Sequence, residues 1–142
     1  MGLDMSHDAW HGAYSSFARF RDKLTIVAGL PVIKESGSPQ AYVDVDWDRY
    51  TEANLMGEWG EKIPETTQGK RDPLLYLLIH SDCDGQLHPV HAKMVADRVE
   101  ELLPELDGKD GGGHIGDYGD KARKLIAGFR AAAEANEPVD FH

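Results

Sequence analysis

The chain has 142 residues, a formal net charge of −10 and one cysteine, Cys83. A hydrophobic fraction of 41% over this length predicts one compact domain, residues 1–142, with a single core. The acid excess argues against a nucleic-acid duplex as partner, because phosphate backbones are bound by Lys/Arg surfaces. No run approaches the roughly 20 apolar residues of a membrane span, and the polar, acidic start is unlike a secretory signal. A lone cysteine fits a reducing compartment, so a cytoplasmic location is expected.

Residues 2–8 read as a short strand with Leu3 and Met5 on one face. From about residue 12 to 29 the pattern turns helical, with Phe17, Phe20, Leu24 and Val27 three and four apart. Gly29 and Pro31 mark its stop. Pro31, Gly37 and Pro39 suggest an irregular connection, followed by a short alternating strand over 41–46. Asp46 would cap a short helix over 47–56 ended by Gly57, and 57–72 reads as loop up to Asp72-Pro73. The apolar run Leu74-Leu75-Tyr76-Leu77-Leu78-Ile79 is expected to be a strand buried on both faces, with a helix as the alternative.

Pro89 suits the first turn of a helix running to about Leu103, with Val95, Val99, Leu102 and Leu103 inward. A glycine-rich stretch, 107–116, precedes a last helix over about 117–136. That helix would carry Tyr118, Ala122, Leu125, Ile126, Phe129 and Ala133 on one face. Val139-Asp140-Phe141 reads as a small edge strand. The expected class is α+β, or a small α/β fold, with about three helices flanking a small sheet.

Chemistry concentrates in two segments. His80-Ser81-Asp82-Cys83-Asp84-Gly85 follows the apolar run. If that run is a central strand, the segment lies beyond its carboxyl end, where open sheets bind ligands. Residues 80, 82, 84 and 85 fall at positions 1, 3, 5 and 6 of an EF-hand-like loop, but His80 stands at position 1 and His91 at position 12. Imidazoles disfavour calcium. His80, Asp82, Asp84 and either His88 or His91 would suit a divalent transition metal such as zinc, manganese or iron. The plainer reading is an Asx-rich turn in which Gly85 takes a positive φ. Flanked by acids, Cys83 reads as a passive thiol rather than a nucleophile.

The second segment is Asp4-Met5-Ser6-His7-Asp8-Ala9-Trp10-His11. If strand 2–6 lies beside strand 74–79, His7 and Asp8 meet His80 and Asp82, and Trp10, His11 and Tyr14 can stack on a base or ribose. Otherwise Ser6 or Asp8 caps the next helix and Trp10 fills the core. Arg19, Arg21, Lys23 and Arg49 either grip a phosphate or pair with neighbouring acids. Gly111-Gly112-Gly113-His114-Ile115-Gly116 matches G-x-G-x-x-G only formally, since no strand leads into it.

Gly2-Leu3-Asp4-Met5-Ser6-His7-Asp8, the 80–85 segment, Phe129-Arg130-Ala131-Ala132-Ala133 and Glu137-Pro138-Val139-Asp140-Phe141 resemble a family of small uncharacterised proteins of phages, prophages and actinobacteria. The likeness spans most of the chain and is weakest in its middle. Members tend to carry an acid after the loop glycine, where this chain has Gln86, which counts against a third carboxylate in a metal site. The resemblance implies no activity. It implies a phage setting, hence host cytoplasm, where small acidic proteins that bind or cleave immune signalling nucleotides are often homo-oligomers.

Three functions compete. The first is a protein that binds a small, nucleotide-type molecule and so sequesters a host immune signal. Its ligand would contact His7, Asp8, Trp10, His11, Tyr14, His80, Asp82 and Asp84. The second is a metal-dependent phosphodiesterase, with His80, Asp82 and His7 catalytic and the metal held by His80, Asp82, Asp84, His88 and His91. The third is a structural or interaction protein whose polar clusters are turns and caps. Whether the chain is an enzyme is left open by the sequence.

Overall fold

A computed structural model describes residues 2–34, 41–43, 66, 69–108 and 117–142. The elements are β1 (Gly2–Met5), a 3-10 turn (Ser6–Asp8), β2 (Trp10–Ala13), α1 (Tyr14–Val27), β3 (Val32–Lys34), β4 (Ala41–Val43), α2 (Leu75–Leu78), β5 (Gln86–Leu87), α3 (Pro89–Leu106), α4 (Tyr118–Ala135) and β6 (Val139–Asp140). The fold is α+β, with antiparallel pairs β1–β2, β3–β4 and β5–β6. The expected helix over 47–56 and the glycine-rich stretch 109–116 lie outside the described residues.

Helices α1, α3 and α4 each bury one stripe, as their periodicity predicts. Phe17, Phe20 and Leu24 of α1 meet Ala92, Val95, Ala96, Val99 and Leu102 of α3 and Ala122, Leu125, Ile126 and Phe129 of α4 in one core. In α4 it is Ala132, not Ala133, that is fully buried. The closest-knit pair is α3 with α4. Asp107 pairs with Arg123, while Asp97 and Glu100 pair with Arg130, so the two helices run antiparallel. Asp117 caps α4 by accepting from the Gly119 N–H at 2.6 Å, and Asn136 closes it at a φ of 54°. Helix α3 continues past Pro104 to a fully buried Leu106. Pro104 itself is exposed.

The apolar run 74–79 is a correction: it is helical, not a strand. Asp72 sets the start, accepting from the Leu74 N–H through Oδ1 (2.9 Å) and from the Leu75 N–H through its carbonyl (3.0 Å). Turn bonds then run from Tyr76 N to Pro73 O and from Leu78 N to Leu74 O. The run is leucine-rich, and leucine favours helix where β-branched residues favour strand. Burial was correctly expected: Leu74, Leu75 and Leu77 are fully inside.

β1 pairs instead with β2, a strand whose last two residues, Gly12 and Ala13, fall where the first helix is expected to open. Val139-Asp140-Phe141 is not an edge. β6 pairs with β5 on one side. On the other, Phe141 bridges Met5, and Asp4 and His142 exchange backbone bonds. The resulting order is β2–β1–β6–β5. Leu3, Met5, Trp10, Leu87, Val139 and Phe141 point into the core, so the alternation of side chains puts Asp4, His11, Gln86, Asp140 and His142 on the outer face.

Candidate functional site

The two polar segments flank one strand. Segment 4–7 borders residues 140–142 on one side: the Asp140 N–H donates to Ser6 Oγ at 2.8 Å. Segment 80–87 borders 139–141 on the other: the Phe141 N–H donates to the Gly85 carbonyl at 3.0 Å, and Gln86 Nε2 donates to Asp140 Oδ1 at 2.6 Å. The segments are thus neighbours across β6, two strand spacings or roughly 10 Å apart. They are not the ends of adjacent strands, because 74–79 supplies no strand.

His80 is folded into its own loop. Its Nδ1 lies 2.8 Å from the Ser81 carbonyl and its Nε2 lies 2.9 Å from the Gln86 carbonyl. The ring rests 4.0 Å from the Phe141 ring, centroid to centroid. Gly85 takes a φ of 85°, the left-handed turn that favours glycine, and a Cβ there would only touch the imidazole, at 3.5 Å. From α1, the Arg21 guanidinium donates to the His80 carbonyl at 2.7 Å and reaches the Leu77 and Leu78 carbonyls at 3.3 and 3.4 Å. Burial lowers the Arg21 pKa, against the pull of Asp82 and Asp22. Asp22 is pushed up by burial, opposed by Arg21. Arg21 therefore satisfies the end of α2 and seats the loop. Asp82 is half-buried, while Cys83 and Asp84 are exposed at the tip. Cys83 Sγ lies 3.6 Å from Ser81 Oγ.

The N-terminal residues divide. Trp10 is 1% exposed and packs between Phe17 and Phe20, with both ring centroids at 5.2 Å, so it is core and not a stacking platform. Tyr14 is half-buried at the start of α1, packed on the core. His11 stands on the outer face and pairs with Asp4. Asp8 is exposed and pairs with Lys124 at 3.3 Å. Neither Ser6 nor Asp8 caps α1, whose N-cap is Ala13. His7 lies between Ser6 Oγ (3.0 Å from Nδ1) and Glu137 Oε1 (3.7 Å from Nε2).

The expected metal set of His80, Asp82, Asp84, His88 and His91 is not assembled. Among the described residues no three His, Cys, Asp or Glu side chains converge to hold a metal. His88 accepts from the Val90 N–H and caps α3, and His91 stacks on Tyr76 at 3.9 Å. His88 is thus held at the start of α3 and His91 against α2, while His80 is engaged within the loop.

Gln86, Glu137 and Asp140 were missed. Gln86 and Asp140 join the site through β5–β6 pairing and Glu137 through the turn that ends α4, and no local pattern signals either. Among the described residues no helix is long and apolar enough to cross a membrane. Comparison with known proteins finds no family model, no curated protein and no solved structure that matches this chain.

Proposed function

We propose that the protein binds a small polar molecule of nucleoside type on the outer face of the β2–β1–β6–β5 sheet. One observation carries this reading: residues 139–142 lie between the two polar segments, so that side chains from both face the same side. Asp4, Asp140 and Gln86 offer acceptors and an amide, and Ser6 and His11 add groups that donate or accept. Carboxylates suit ribose hydroxyls and base amino groups.

The chemistry favours the nucleoside end of such a ligand over its phosphates. The arginines with described contacts are engaged elsewhere. Arg21 holds carbonyls, Arg98 holds Asp72, Arg123 holds Asp107, and Arg130 holds Asp97 and Glu100. With a net charge of −10, the chain repels an anionic ligand wherever local cations are committed. Sequestering a host signalling nucleotide, a role that a phage setting suits, then requires that the nucleoside part carry recognition.

A specific observation favours a second reading, an interaction protein without a chemical site: both ring nitrogens of His80 and its stacking face are used inside the fold. Amide NMR titration with adenosine, guanosine and their monophosphates separates the two. Shifts confined to 4–6, 86 and 140, saturating with nucleoside and weakened in Asp140→Asn, support the binding reading. A silent spectrum across the panel overturns it and leaves the interaction reading.

A further inference from the structure

Ser6, His7 and Glu137 form a relay that the core does not require. Ser6 Oγ accepts the Asp140 N–H at 2.8 Å, so its own proton is left to donate. The acceptor in reach is His7 Nδ1 at 3.0 Å. On the far side of the ring, Nε2 faces Glu137 Oε1 at 3.7 Å. The 3.7 Å gap makes Glu137 an electrostatic neighbour of the ring, and the tautomer with its proton on Nε2 would turn the Nδ1 lone pair to the hydroxyl. His7 and Asp8, at φ of 60° and 56°, are the central pair of the hairpin turn between β1 and β2, which the Ala9 N–H closes on the Ser6 carbonyl at 3.3 Å. The turn brings the imidazole back onto the preceding serine. The serine is half-buried, and the His7 side chain is 20% exposed.

We propose that Ser6 is a nucleophile toward small activated carboxylic esters, with His7 as its general base and Glu137 as a positioning residue. Oγ attacks the carbonyl carbon while its proton passes to His7 Nδ1. The tetrahedral adduct collapses, the bond to the leaving oxygen breaks, and His7 returns the proton to that oxygen, which departs as the alcohol. Water then attacks the acyl-serine, giving its proton to His7. Collapse breaks the Oγ–acyl bond and releases the acid, and the proton goes back to Oγ. This chemistry does not rest on the nucleoside reading and involves no metal ligand.

The test uses a fluorophosphonate, whose P–F bond breaks as an Oγ–P bond forms, followed by intact mass and peptide mapping. One adduct on Ser6 is expected, with turnover of p-nitrophenyl acetate blocked in the adduct. Ser6→Ala abolishes both. Because that variant also loses the Asp140 contact, His7→Asn is the companion: asparagine tolerates the left-handed φ, keeps Ser6, and slows labelling about 100-fold. Glu137→Gln lowers the maximal labelling rate about tenfold at unchanged half-saturation. Circular dichroism verifies each fold. No adduct on the folded wild type, an adduct elsewhere such as Cys83, or His7→Asn labelling at the wild-type rate overturns the proposal.

Discussion

Asp4 and His142 exchange two backbone hydrogen bonds, of 2.7 and 2.9 Å. With the Met5–Phe141 bridge, they make residues 139–142 an inner strand between the N-terminal hairpin and β5. The site's outer face and the core beneath it therefore depend on one short segment.

Phe141 is the side chain that secures this segment. It is 3% exposed and carries the His80 ring on its face. Phe141→Ala should cost about 3–4 kcal/mol and loosen the 80–85 loop. Urea denaturation reads the first effect, and faster hydrogen exchange at the amide of residue 141 reads the second. Phe141→Leu should cost less than half as much.

Asp72 is 2% exposed, and its carboxylate accepts from the Leu74 N–H and, at 3.1 and 3.2 Å, from Arg98 Nε. Asp72→Ala should destabilise by about 2 kcal/mol, because it removes the acceptor at the start of α2 and leaves the partly buried Arg98 with the exposed Glu101 as partner. Asp72→Asn keeps an acceptor for Leu74 and should lose less. Equilibrium unfolding of both variants checks the order.

Gly128 lies where α4 crosses Ala9. A Cβ there would sit 2.6 Å from both Cα and Cβ of Ala9. Alanine raises helix propensity by about 1 kcal/mol, but overpacking against backbone costs about 1–3 kcal/mol. Gly128→Ala should therefore lower Tm despite the better helix former, and a thermal melt decides the sign.

The α3–α4 ion pairs give a pH dependence of known sign. The Asp97 carboxyl is held below its usual range by the Lys93 hydrogen bond and then by Arg130, and Glu100 is held down by Arg130. Depressed carboxyls stabilise the fold above their unfolded pKa, about 4, and lose that contribution as pH falls through the folded values. Arg130→Met should lower Tm by about 2 °C at pH 7. The difference from wild type should shrink as pH falls below about 4, as the carboxylates protonate, and in high salt.

Features set by neighbours three or four residues apart were legible in the sequence. The buried stripes of α1, α3 and α4, Pro89 at the start of α3 and the left-handed Gly85 all follow from side-chain spacing and local backbone sterics. These properties are local, so the chain carries them before it folds. The state of 74–79 was decided partly locally, by Asp72 two residues before Leu74, and partly by tertiary structure, through Arg21 of α1, where the apolar pattern alone does not distinguish helix from strand. Tertiary structure decided the site. Ser6 meets Asp140 across 134 residues, and His80 loses its availability to a metal once Phe141 and two carbonyls enclose it. Strand pairing satisfies backbone groups that every residue carries alike. Which segments pair is therefore fixed by packing of the whole core and not by any local pattern.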